Sequence, residues 1–265
     1  MLLGLAIAAT AALSAVPETE EFFARFKAAR EGVTALRTEY TEKNITPDET
    51  LLAEGTLTYT KPRRILRHTH YPYDASILID QTTSYQYEPE VFQLVIQELA
   101  DAPESDILFF GFDSDTERLR ESYDVKIFAL PEHPLGKLGI ELRPKAGSDA
   151  ADLFREAVLY LRDDNMLPYR VHLIFDEESQ LIVEMGDYEV NPVLEAVDTQ
   201  IAVSPGTKVI VGETVSRVVG QDGEMVPMVP AAAAPAETED APETDAKPLV
   251  EVKELDAPAP VERAE

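Results

Sequence analysis

Between residues 36 and 211 the chain is written in short runs that alternate apolar and polar residues. That period of two constrains the fold more than any other feature. In LLAEGTLTYTK, Leu57 and Tyr59 face one way while Thr56, Thr58 and Thr60 face the other, as in a half-buried strand. LRTEYTEKNI precedes it, and ILRHTHY, SILID, SYQYEP and FQLVIQEL follow, separated by short polar turns. VKIFALP, LGIELRPK, FREAVLYLRDD, LPYRVHLIFDEE, QLIVEMGDYEV and TQIAVSPGTKVIV continue the series further on. Strands so many and so evenly spaced predict a large, mainly antiparallel sheet that curls toward a barrel. Asp163-Asp164-Asn165 and Asp176-Glu177-Glu178 fall between runs and read as hairpin turns.

Helical spacing is scarce. ETEEFFARFKAARE places Phe22, Phe23, Phe26 and Ala29 on one face, with acids in its first turn and Gly32 as a stop. In ADAPESDILFFGFDSDTERLRESYDV, Ser105 or Asp106 caps a short apolar helix through Ile107, Leu108, Phe109 and Phe110, ending near Gly111. A second, charged helix is predicted over residues 114–121. These segments are all the chain offers to cover the inner face of a curled sheet. The pattern fits either an ordinary sheet–helix core or a cavity under an apolar lid.

Charge and composition exclude several functions. The 265 residues include 50 acidic and 23 basic side chains, a formal charge of -27, which argues against nucleic acid and against a polybasic membrane anchor. There is no cysteine, hence no disulfide and no thiol for lipid attachment. Residues 1–15 are apolar or small, too few to span a bilayer, and match the h-region of a signal peptide cleaved after Ala15, although no basic n-region precedes them. The alternatives are a start further upstream or the first turn of a buried helix. Together these features predict a soluble periplasmic protein. From residue 221 the composition turns to Pro, Ala and Glu, predicting a disordered acidic tail over 221–265 after a folded domain over 16–220.

Catalytic signatures are missing: no nucleophile elbow, phosphate loop, dinucleotide fingerprint or His-Glu-x-x-His helix is present. His68 and His70, two apart on a strand, point to one side, and with His172 they would make a three-imidazole zinc site. No ligand spacing links His172 to the pair, so two exposed histidines on a polar strand face are the preferred reading. No catalytic residue, metal or cofactor is expected.

One stretch runs against the acidity of the rest: TYTKPRRILRHTHYP, with Lys61, Arg63, Arg64 and Arg67 around Pro62. Extended to TYTKPRRILRHTHYPYDASILIDQTTSYQYEP, it resembles the periplasmic outer-membrane lipoprotein carrier family, LolA. The shared features are Lys61-Pro62, then Ile65 and Pro72, the strand Ser76-Ile77-Leu78-Ile79-Asp80, and Tyr85-Gln86-Tyr87-Glu88-Pro89. IAVSPGTKVI is similar to the family's closing strand. The starting helix, TEYTEKN and DILFFGF fall in the family's order, so the resemblance spans residues 18–211.

The resemblance implies an α+β fold: a mainly antiparallel, incomplete (unclosed) β-barrel covered by a helical lid. Its apolar cavity would take the acyl chains of lipoproteins, carried without catalysis between an inner-membrane lipoprotein-releasing transporter and an outer-membrane acceptor. Leu57, Tyr59, Ile65, Ile77, Ile79, Tyr85, Tyr87, Leu108 and Phe109 would line it. Lys61 stands in place of an arginine that bonds lid carbonyls, here those near Phe110 and Gly111, and lacks that residue's planar fork. Arg63 and Arg64 would form a solvated corner or a docking surface. Arg67 replaces a usual aromatic, and Tyr85 a common tryptophan. The expected state is a monomer. A lipid sensor acting through a protein partner is the alternative function, and a histidine-based metalloenzyme the second.

Overall fold

The computed structural model describes residues 17–99, 109, 111–112, 116–130, 133–148, 151 and 153–227. The chain divides into two units, Met1–Met228 and Val229–Glu265, and the described residues all belong to the first. The signal peptide expected over 1–15, Leu108 and Phe110 lie outside them.

The first element is the helix α1 (Thr19–Glu31), whose Phe22, Phe23 and Phe26 are buried. Five strands follow: β1 (Ala35–Ile45), β2 (Thr50–Thr60), β3 (Arg64–Tyr71), β4 (Ala75–Asp80) and β5 (Thr83–Glu88). After β6 (Gln93–Glu98), the helix α2 (Thr116–Ser122) leads into β7 (Tyr123–Ala129) and β8 (Leu138–Pro144). Then come β9 (Glu156–Leu161), β10 (Pro168–Ile174), β11 (Gln180–Met185) and the two-residue β12 (Glu189–Val190). A 3-10 turn (Ala196–Asp198) leads to β13 (Ile201–Val203), β14 (Lys208–Val211), β15 (Thr214–Val218) and β16 (Glu224–Val226).

One sheet takes almost every strand, in the order β15-β14-β6-β5-β4-β3-β2-β1-β11-β10-β9-β8-β7, with β12 also on β1. It has two free ends and is therefore unclosed. Its pairs are antiparallel except β14 on β6, which is parallel, with Val209 opposite Leu94. The sheet is thus mixed. β13 and β16 form a separate pair. The expected turns are made by side chains the sequence supplies there. Asp176 Oδ1 accepts the N–H groups of Glu178 and Ser179 at 2.8 and 2.7 Å, and Asn165 Oδ1 accepts that of Leu167 at 2.8 Å.

Alternation sends the side chains to two faces. On the inner face, α1 buries its phenylalanines against Ile140, Leu142, Leu159 and their neighbours on β8 and β9. Leu36, Tyr40, Leu57, Tyr59, Ile65 and Ile79 of β1 to β4 pack there with Phe109 and Phe112. On the outer face, Leu66, Leu78 and Tyr87 meet Ile201, Val203 and Val226, so β13 and β16 cover the backs of β3 to β5. Val226 is 3% exposed and pairs with Ile201. Residues 221–227 therefore belong to the folded unit, and the boundary expected at residue 221 moves to the far side of β16. Composition misleads there because Gly220, Gly223 and Pro227 bracket a strand only three residues long.

Candidate ligand cavity

Leu57 of β2 and Ile65 of β3 face, across the inside of the sheet, Val171 and Leu173 of β10 and Leu181, Val183 and Met185 of β11. β3 and β10 are four places apart in the strand order, roughly 19 Å on a flat sheet at about 4.8 Å per strand. Their side chains share one cavity because the sheet curls. Gly111, Phe112 and Pro168 complete the wall, and the space is about 60 Å3. That is room for about two water-sized groups.

Aromatic contacts hold the cover down. The rings of Phe112 and Tyr59 stack with centroids 5.5 Å apart, and Tyr188 meets Phe112 edge-on at 6.3 Å. The Tyr188 hydroxyl donates to Pro168 O at 2.7 Å. Burial drives its pKa far above the ordinary tyrosine value, against the partial offset of Arg162 and Arg30, so the hydroxyl stays a donor.

The latch is Arg30. Spacing of four along α1 (Phe22, Phe26, Arg30) puts it on the buried face, and it is fully buried. One terminal nitrogen donates to Gly111 O and to Met166 O, both at 2.8 Å; the other donates to Phe26 O at 3.2 Å. Its guanidinium lies 3.4 Å from the centre of the Phe26 ring. A single planar fork thus ties α1, the 111–112 segment and the β9–β10 turn together.

Lys61, expected in that role, is elsewhere. Its ammonium donates to Arg30 O at 3.0 Å, at the carbonyl end of α1. It complements the negative end of α1, not that of a helix over 107–110. Gly111 O is taken by Arg30, a residue that no expectation from the sequence singled out. Nor is the basic corner merely solvated. Arg63 lies over the Phe109 ring at 4.5 Å, and Arg64 pairs with Asp80 at 2.6 Å.

Strand register sorts the remaining expected lining residues. Ile79 belongs to the inner cluster and Ile77 packs against it. Tyr85 and Tyr87 do not share that face. β4 and β5 pair Leu78 with Tyr85 and Ser76 with Tyr87, so both tyrosines go outward with Leu78. Tyr87 is in the outer cluster, Tyr85 packs on it, and the Tyr87 hydroxyl accepts the N–H of Ser204 at 3.1 Å. An inward Ile79 opposite Ser84 forces this parity. The alternation named β10 and β11 as strands but not as cavity wall, although Val171/Leu173 and Leu181/Val183/Met185 repeat every second residue.

The histidines separate as well. His68 shares a hydrogen bond with Ser76 Oγ at 2.9 Å, and His172 with Gln180 Oε1 at 2.6 Å. A bulge pairs Glu54 with Tyr71 and Gly55 with Thr69, skipping His70, so counting by twos from His68 fails. Among the described residues no group of three His, Cys, Asp or Glu could hold a metal ion. No helix among them is long and apolar enough to cross a membrane.

Among the described residues, Arg67 is the one charged residue lining the cavity. β2 carries Gly55 where β1 presents Tyr40, and a Cβ there would lie 2.8 Å from the Tyr40 ring and 2.1 Å from His68 O. With no side chain in the way, the Tyr40 hydroxyl reaches across β2 to Thr69 Oγ1 at 2.7 Å. Arg67 lies 4.8 Å over the Tyr40 ring and pairs with Glu42 at 2.5 Å. Burial alone would lower its pKa, but Glu42 and Tyr40 more than offset this and the net shift is upward. The guanidinium keeps its proton inside the wall.

Fold and site together define an unclosed, mainly antiparallel sheet that curls around an apolar space. The chain belongs to the outer membrane lipoprotein carrier protein family, LolA, whose model matches residues 31–196. Its last described strands, β13 to β16, lie beyond that match. No curated protein matches the chain in sequence. Among solved structures it is similar to an uncharacterized conserved protein of Thermus thermophilus, at 13% identity and TM-score 0.47, covering 74% of this chain and 99% of that one. A putative outer membrane lipoprotein-sorting protein domain of Vibrio parahaemolyticus matches at 12% identity and TM-score 0.40, covering 68% and 94%. MucB in the Pseudomonas aeruginosa MucA/MucB complex matches at 11% identity and TM-score 0.40, covering 68% and 60%.

Proposed function

We propose that this protein binds the acyl chains of lipoproteins between β2–β3 and β10–β11 and carries them through the periplasm. Cargo would pass from an inner-membrane releasing transporter to an outer-membrane acceptor, with no chemical step. The observation that carries this reading is a wall that, among the described residues, is apolar except for Arg67, beside a segment that Arg30 fastens by backbone carbonyls. Family membership and the apolar, small-residue stretch over 1–15 support the cargo class and the compartment.

The energetics are consistent with a latch that cargo can open. Removing about ten methylenes from water stabilises a complex by roughly 8 kcal/mol at about 0.8 kcal/mol each. A charge-assisted hydrogen bond such as Arg30 to Gly111 O contributes about 1.5–3 kcal/mol. Acyl burial therefore exceeds the cost of releasing that bond, and empty protein closes again.

Mass spectrometry of lipids co-purified from the native host tests the reading. Acylated lipoproteins or their acyl groups are expected, together with lipoproteins stranded in the inner membrane when the protein is depleted. Normal lipoprotein sorting in depleted cells, with no acyl lipid on the purified protein, would overturn it.

A further inference from the structure

Arg67 lines the cavity, and one of its donors has no acceptor. Arg67 gives a terminal nitrogen to Glu42, yet its Nε–H is buried and meets no acceptor. A buried, unpaired N–H of a charged group is costly, and a dry apolar pocket does not relieve it. A cargo atom placed at the wall beside Leu57, the residue paired with Arg67 across β2 and β3, would relieve it.

The charge balance determines what that atom can be. Glu42 already neutralises the guanidinium, and both side chains are largely out of solvent, 19% and 16% exposed. A carboxylate or phosphate arriving there would be a second negative charge facing one positive charge, uncompensated in an apolar space. A neutral carbonyl oxygen would take the Nε–H without that cost. We infer that Arg67 is a specificity residue of the cavity, which selects acyl chains whose first carbon is an ester or amide carbonyl over free fatty acids. The inference rests on the acyl-binding reading and narrows it to masked acyl groups, with Glu42 as the residue that rejects anions.

The test is displacement of the neutral probe N-phenyl-1-naphthylamine from the purified full chain at pH 8 by methyl laurate, laurate and an alkane of matching length. In the wild type, methyl laurate is expected to compete roughly ten- to a hundredfold better than the alkane, the worth of a hydrogen bond to a charged donor. Laurate should compete less well than the ester. Glu42→Gln leaves the cation uncompensated, so laurate should overtake the ester. The double variant Arg67→Met/Glu42→Gln removes both charges and should bind ester and alkane equally. Laurate matching the ester in wild type, or a ranking unchanged in both variants, overturns the inference and leaves the carrier reading standing. Failure of folded wild type to bind the probe or any competitor removes the carrier reading and this inference with it.

Discussion

The strands β2 to β5 show two different worlds on their two faces. The inner face presents Leu57 and Ile65 to a cavity of about 60 Å3, with Tyr59 and Ile79 in the same packed cluster, and among the described residues the lining is apolar but for Arg67. The outer face, roofed by residues 197–202, leaves a cleft of about 420 Å3 in which Thr56, Thr58, His68, Ser76, Asp198 and Gln200 stand among Leu66, Tyr87, Val197 and Ile201. The larger space is the less suited to an acyl chain. Its hydroxyls, imidazole and carboxylate would lose water to a hydrocarbon without gaining partners. The inner space loses nothing when filled and only has to widen. What separates the two is the lining and the latch, and volume misleads.

Breaking the latch should have the largest effect. Arg30→Met keeps an apolar stem but leaves the Gly111 and Met166 carbonyls without that donor, at about 1–3 kcal/mol each. Chemical denaturation should show a loss of about 2–6 kcal/mol, and amide exchange should quicken first at Gly111 and Phe112. Exchange quickening instead in β13 and β16 would place the coupling on the wrong face.

The outer roof gives the contrasting case. Ile201→Ala removes a side chain that is 3% exposed in the outer cluster, for which about 2–5 kcal/mol is usual. Protection in β16 should fall while displacement of a cavity-bound acyl probe stays as in wild type. A parallel loss of acyl binding would mean that the two faces act as one.

A smaller change refines the inner face. Lys61→Met deletes the ammonium from Arg30 O at the end of α1, worth about 1 kcal/mol. Fraying should appear in the last turn of α1, through Arg30 and Glu31, and reach Gly111 only weakly. Equal loosening of both would mean that Lys61 fastens the cover itself.

The β10–β11 turn serves as a control away from both faces. Backbone N–H groups of Glu178 and Ser179 hold the Asp176 carboxyl below its reference pKa of 3.8. Because the folded value is depressed, its contribution is complete above the unfolded pKa and is lost as pH falls through the folded one. A carboxyl titration followed by NMR should put its midpoint below 3.8.

Much of this was legible in the sequence, because alternation names strands and turn residues name their ends. The mixed topology was not, since nothing local in KVIV tells a parallel partner from an antiparallel one. Face assignment held along one strand and failed across a hairpin. Ile77 and Ile79 look inward, but the register that carries them inward turns Tyr85 and Tyr87 out. Arg30 was readable as the third member of the row Phe22, Phe26, Arg30, although a cation at a helix end has a sufficient explanation in the dipole. The reach of Tyr40 to Thr69 across β2 depends on Gly55, and that opposition only the register reveals.

The most direct test of the central claim is to fill each space in turn and weigh the bound lipid by native mass spectrometry. Val183→Trp would occupy the inner cavity, and Ala202→Trp, from an exposed position, would occupy the outer cleft. If acyl chains are carried inside the sheet, the first variant loses bound acyl lipid and the second carries as much as wild type. Acyl lipid retained by a folded Val183→Trp protein and lost from Ala202→Trp would contradict the account.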